Sequence, residues 1–214
     1  MTVEKHSTYF NMLDALKEKG CPLCRLSDKS AHSYFDAFLF ENVTDREVSK
    51  KLRASGGFCR EHSERFLEFN DTLGAAIVYE SLIYDLLNEK KGSVSLKSGL
   101  CPACAVSKEA EDRHIKTFET YFAEPEFAEA YMASEGFCVF HLKLLLPKIK
   151  NEAVLKKIIG KERKSLEKLH AELLEFLRKN DYRFSKEEWG AEKDSWRRAI
   201  GKFVGERKVR QKSL

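Results

Sequence analysis

Cys21-Pro-Leu-Cys24 and Gly57-Phe58-Cys59-Arg-Glu-His62, then Cys101-Pro-Ala-Cys104 and Gly136-Phe137-Cys138-Val-Phe-His141, are two copies of one pattern. The CxxC elements are offset by 80 residues and the GFCxxH elements by 79, and together they use all six cysteines of the chain. Three thiolates and an imidazole suit a tetrahedral zinc ion, and an i, i+3 pair brings two donors together from one helical turn. The simplest grouping keeps each repeat to itself: Cys21, Cys24, Cys59 and His62 at one site, Cys101, Cys104, Cys138 and His141 at the other. The spacing equally allows a pseudo-twofold exchange, with Cys21 and Cys24 joining Cys138 and His141.

Outward from these motifs the chain reads as helix throughout. Tyr9, Phe10, Leu13 and Leu16 fall at helical spacing over 4–19, and Gly20 is a stop. Pro22 suits a first helical position, with Cys21 as the N-cap. Thr44-Asp-Arg-Glu47 has the form of a capping box that opens a short helix ending at Gly56-Gly57. Residues 72–89 are apolar on most faces and predict a central helix. The second copy repeats this order, and its last helix carries Leu155, Ile159, Leu166, Leu169, Leu173 and Phe176 as a stripe interrupted by Glu162. No segment alternates with period two. The expected fold is an all-α helical bundle with internal duplication, two pseudo-twofold-related halves each clasped by a metal, and a short C-terminal helical arm. The corresponding segments are 1–90, 91–178 and 179–214, with Lys91 to Gly99 as a linker.

Placing the cysteines at helix starts has an electrostatic consequence. Free N–H groups and the positive end of the helix dipole stabilise thiolates, the form a metal requires. The 34- and 33-residue gaps between the paired elements leave room for a helical hairpin that returns to its start. Two zinc ions are the favoured cofactor. The rivals are an iron–sulfur cluster and a dithiol redox pair built from the same cysteines. The redox reading needs the strand of a thioredoxin-like fold, and none is visible. A site with four protein ligands leaves no place for a substrate water, and no Gly-rich phosphate loop, GxSxG or HExxH occurs, so the sequence leans away from an enzyme.

With 43% hydrophobic and 34% charged residues, the 214-residue chain has the composition of a helix-rich protein with a real core. No run of 18 apolar residues predicts a membrane span, and the N-terminus lacks the pattern of a signal peptide. The expected location is the cytoplasm, where thiols stay reduced. The formal charge of +4 is concentrated at the C-terminus: residues 197–214 sum to +6 and the remainder to −2. Binding of nucleic acid through this tail is a third functional class, not favoured, and a protein partner is left open. His32 is expected to be solvated or to support a ligand, and His6 and His170 to lie at the surface. The single Glu111-Asp-Arg-His114 is insufficient for a di-iron bundle. In the arm, Trp196, Ile200 and Phe203 form an i, i+4, i+7 stripe expected to pack inward, with Arg197 and Arg198 pointing elsewhere.

Gly20-Cys-Pro-Leu-Cys-Arg25, Glu41-Asn-Val, Gly57 to His62, Leu73-Gly-Ala-Ala-Ile-Val-Tyr-Glu80, the second CxxC and CxxH, Asp181-Tyr-Arg-Phe184 and Asp194-Ser-Trp-Arg-Arg198 together resemble the domain-of-unknown-function 6062 family of prokaryotic proteins. The likeness spans nearly the whole chain. It implies no established activity, but it implies that the C-terminal motif belongs to the same architectural unit. A metal-binding structural or interaction scaffold is the functional expectation.

Overall fold

The repeated motifs set where helices begin. The computed structural model describes residues 5–88, 99–184 and 186–205, and among these are ten α-helices and no strand. Helix α1 (Ser7–Lys17) is followed by Gly20 at φ +85°, a left-handed conformation natural to glycine. Pro22 then starts α2 (Pro22–Ala37), whose end widens into a π-turn over Phe38–Asn42. α3 (Arg46–Ala54) is capped by Asp45, whose carboxylate accepts from Glu47 N–H and Val48 N–H. The cap thus falls one residue after the Thr44 that the capping-box pattern selects. α4 (Arg60–Glu68) starts after Cys59, and α5 (Thr72–Asn88) comes next. The order then recurs: α6 (Pro102–Tyr121) after Cys101, the short α7 (Pro125–Ala133), α8 (Val139–Leu145) after Cys138, and the long α9 (Glu152–Lys179). α10 (Ser195–Val204) closes the described chain. Most of the expected linker and the basic residues beyond Gly205 lie outside the described residues.

The chain forms two compact units, one from residues 1–26 with 111–214 and the other from 27–110. These units cut across the sequence repeats, because the divisions fall inside α2 and α6. Each unit has an aromatic centre. In the 27–110 unit, Phe58 of the GFC element meets Phe38 edge-on at 5.6 Å and Phe35 at 5.0 Å. In the other, Phe137 of the second GFC element meets Phe118 edge-on at 5.0 Å, with Tyr131 and Phe127 against the same ring. The ring contacts of the two GFC phenylalanines therefore stay within a repeat.

That detail overturns the hairpin clasped within one repeat. Fourteen residues separate Cys24 from Phe38, which at 1.5 Å per helical residue is about 21 Å. Phe58, adjacent to Cys59, packs at the Phe38 end.

Two expectations about apolar faces also change. α5 is not central: only Gly74 and Val78 are buried, while Leu73 and Leu87 are 70% and 78% exposed. A helix apolar all round can bury any one stripe, and here Ala75, Val78 and Leu82 meet the aromatic cluster. The arm is turned the other way from the sequence reading. Trp196, Ile200 and Phe203 are largely exposed, and Ser195 and Gly201 are the buried residues of α10. Arg198 faces α9, pairing with Glu172 at 2.5 Å, and Lys202 pairs with Glu162 at 2.7 Å. Small residues permit close approach of the two helices, and the charges find partners that the Trp196 face lacks.

Trp196→Ala is accordingly expected to change stability by less than about 1 kcal/mol, as for an exposed position. Arg198→Ala should cost about 1.5–3 kcal/mol, the range for a hydrogen bond to a charged group. Urea unfolding of both variants checks the order, and a larger loss at Trp196 would contradict this docking.

Candidate metal centres

Each cysteine motif lies at a helix start. Cys21 and Cys101 precede the N-terminal prolines of α2 and α6, and Cys59 and Cys138 are the N-caps of α4 and α8. The backbone N–H of His141 points at Cys138 Sγ, 3.5 Å away. The eight side chains gather into two tetrads, each able to hold a metal ion: Cys21, Cys24, Cys138 and His141, and Cys59, His62, Cys101 and Cys104. The exchanged grouping is the one found, in place of one site per repeat. Each tetrad lies within one unit.

The spacing of the donors is that of a coordination shell. With metal–sulfur bonds of about 2.3 Å and metal–nitrogen bonds of about 2.0–2.1 Å, a tetrahedron has S···S edges near 3.8 Å and S···N edges near 3.6 Å. In the first tetrad Cys24 Sγ lies 3.7 Å from Cys138 Sγ, and His141 Nδ1 lies 3.1–3.4 Å from the three sulfurs. In the second, Cys59 Sγ lies 3.6 Å from Cys104 Sγ, and His62 Nδ1 lies 3.2–3.8 Å from its three sulfurs. All six cysteines are free thiols. In both tetrads the imidazole presents Nδ1 inward. For His141 this leaves Nε2 facing Glu111 Oε1 at 3.4 Å, the carboxylate–histidine arrangement that orients a ligating ring.

The titration of these groups reflects the crowding. Burial opposes a charged His141, yet hydrogen bonds with Cys138, Cys21 and Glu111 push it up to about 11. Hydrogen bonds from Cys21 and Cys24 draw Cys138 far down, while the same contacts and burial push Cys24 up. Burial also raises Cys101, but His62 and the backbone N–H groups of Cys59, Cys104 and Ala103 outweigh it and bring the thiol down to about 6. Burial and Cys59 push Cys104 up to about 12. Each set of donors has the composition and spacing for a metal ion.

Around the first tetrad the protein adds a second layer that the sequence reading did not single out. Glu162, seen there only as an interruption of a stripe, is buried. It accepts from Tyr131 O–H at 2.8 Å and from Phe137 N–H at 3.0 Å, and pairs with Lys202. It therefore ties the residue preceding Cys138 to both α9 and α10. The one available signal was a lone acid on an apolar stripe. Gly205, at φ +84°, ends α10 against the site, where a Cβ would come within 2.9 Å of Cys24 Sγ. Glu111 drew notice in the sequence only within Glu111-Asp-Arg-His114; nothing marked it as the neighbour of His141, which is distant in the chain. In the second unit, Asp28 of α2 pairs with Arg65 of α4. His32 stacks on Phe69 at 4.8 Å and joins neither tetrad. His6 and His170 are exposed, as expected, while His114 is buried outside both tetrads.

A family model described as "Family of unknown function (DUF6062)" matches residues 5–98 and 85–210. An "Uncharacterized 23.9 kDa protein in xynA 3'region" from Caldicellulosiruptor sp. (strain Rt8B.4) is 29% identical over 182 residues, covering 80% of this chain and 88% of that protein. No solved structure matches the chain.

Glu162→Ala should cost about 3–5 kcal/mol, because it leaves Lys202 buried beside Lys161 without their shared acid. It also orphans Phe137 N–H. Chemical denaturation measures the loss, and a loss under about 1 kcal/mol would remove Glu162 from this role.

Proposed function

The chain belongs to the DUF6062 family, and for this member we propose a helical scaffold that holds two structural zinc ions, one in each exchanged tetrad. The observation that carries the reading is the convergence of three sulfurs and one Nδ1 at coordination-shell distances, twice, with no cysteine left over. Cys21, Cys24, Cys138 and His141 would hold one ion, and Cys59, His62, Cys101 and Cys104 the other. A bound ion supplies cross-linking: it fastens helix starts that are far apart in sequence, α2 with α8 and α4 with α6. Thiolate-rich tetrads favour zinc among the divalent ions, and closed sets of four donors favour a structural over a catalytic role. Reduced thiols point to the cytoplasm. No described helix is long and apolar enough to cross a membrane, and a protein partner is the role left for such a scaffold.

Elemental analysis of protein purified without added metal should give two zinc ions per chain. Cys21→Ser and Cys138→Ser should each reduce this to one, and the double variant should still retain one. Cys21→Ser with Cys59→Ser should retain none. Equal losses for the two double variants would contradict the exchanged pairing. Iron with a broad visible absorption would instead make these sites iron–sulfur clusters.

Acid should release the metal, since each cysteine thiol must lose its proton to become a ligand. The sign is set by Cys101: its folded value of about 6 lies below the ordinary 9.0. Its stabilisation is therefore complete above the ordinary value and is lost as the pH falls through about 6. Monitored together from pH 8 to 4, helical ellipticity should fall and released zinc should rise in one transition. Retention of both ions at pH 4 would count against thiolate ligation.

A further inference from the structure

Beside the first tetrad, in the unit formed by 1–26 and 111–214, a pocket of about 430 Å³ opens between α9, α10 and the chain from Met132 to Cys138. That volume is within the range of small-molecule sites. Its wall is cationic: Lys161, Lys164, Lys168, Arg198 and Lys202 line it, against the single acid Glu135. Several of these charges are already engaged. Lys202 is paired with Glu162, Arg198 with Glu172 and Asp194, and the Glu135 carboxylate accepts from Gly20 N–H at 2.9 Å.

Three lysines remain, and they share one face of α9 at i, i+3 and i+7. Lys164 has no carboxylate partner among the described residues, and Lys168 approaches Glu172 only to 4.0 Å. Lys161 is the most telling. Its side chain is 6% exposed, and its ammonium makes no hydrogen bond. Glu162 Oε1 lies 3.7 Å away, but that oxygen already accepts from Tyr131 and Phe137. The ammonium sits over the Tyr131 ring at 4.9 Å and beside the Cα of Gly136, where any Cβ would collide with it. Burial pushes Lys161 below the usual lysine range, partly offset by Glu162. Like charges stacked on one helix face disfavour the helix, and a buried cation without hydrogen bonds is costly. Such an arrangement makes sense when an anion completes it.

We propose that this pocket binds a small organic anion, whose phosphate or carboxylate group is held by Lys161, Lys164 and Lys168 and whose apolar body rests on Met132 and Leu169. The oxyanion supplies a hydrogen-bond acceptor to Lys161, whose ammonium makes no hydrogen bond, an acceptor to Lys164, and a closer partner than Glu172 to Lys168. A pocket of this size and mixed lining suits an organic molecule better than a bare ion. Cys21 and Cys138 form part of the same wall, so the bound anion would lie beside the first tetrad without joining it.

The test uses the full chain as purified, with its metal retained, and calorimetric titration at constant ionic strength. Phenyl phosphate, phenylacetate and inorganic phosphate are the probes, with phenol as the uncharged control. One of the two organic anions should bind saturably at one per chain, more tightly than inorganic phosphate, while phenol does not bind. The tighter of the two identifies the headgroup. Lys161→Met should weaken binding at least tenfold, and so should the double variant Lys164→Gln, Lys168→Gln, whose changes lie on the exposed part of α9. Lys156→Gln with Lys157→Gln, on the same helix but outside the pocket, should leave it within twofold. The proposal is overturned if no anion binds saturably, or if both pocket variants bind within threefold of the parent. It is equally overturned if Lys161→Met releases metal while anion affinity stays unchanged, because the ammonium would then serve the thiolates instead.

Discussion

The stiffness of α2 and α6 governs how this chain can close. A helix advances a fixed 1.5 Å per residue, so a cysteine at its start cannot meet a partner packed at its end. The GFC phenylalanines pack against Phe38 and Phe118, each in its own repeat and each well down the long helix. Cys21 and Cys24 must then find their imidazole in the other repeat. The exchange of donors goes with this packing of the aromatic elements. Neither repeat contains a complete tetrad: each tetrad is built from donors of both copies of the motif.

Thiolate placement and helix geometry reinforce each other at these sites. All four motifs sit at helix starts, where N–H groups are unpaired and the dipole is positive. The donors are rigid because their backbones are the first turns of packed helices. The surroundings of the two tetrads nevertheless differ. Around the first, Glu111 faces His141 and Glu162 fixes Phe137, and the end of α10 closes over Cys24. Around the second, aromatic packing on Phe35, Phe58 and Phe66 dominates, with the Asp28–Arg65 pair linking α2 to α4. One unit supports its donors with charge and hydrogen bonds, the other with rings.

The docking of α10 shows which force wins when a short amphipathic helix has two usable faces. Burying Trp196, Ile200 and Phe203 would gain hydrophobic energy, yet that face is turned to solvent. α9 presents Glu162 and Glu172, and leaving these acids without counter-charges in a partly desolvated groove would cost more than the apolar contact returns. Arg198 and Lys202 supply those charges, and Gly201 lets the helices approach.

The sequence by itself determined the helical class, the eight cysteines and histidines that gather into the two tetrads, the helix starts at each cysteine motif and the internal duplication. These are local properties: a proline at N1, a glycine that accepts positive φ and an apolar period of 3.6 act over a few residues. Which donors meet was decided only by tertiary structure, because grouping depends on where rigid helices end and on which rings pack, and no local pattern encodes that. The same holds for Glu162, Glu111 and Lys161. Their roles come from neighbours 25, 30 and 25 positions away at Phe137, His141 and Gly136, and a single acid or lysine on a helix carries no mark of the partner that folding will bring to it.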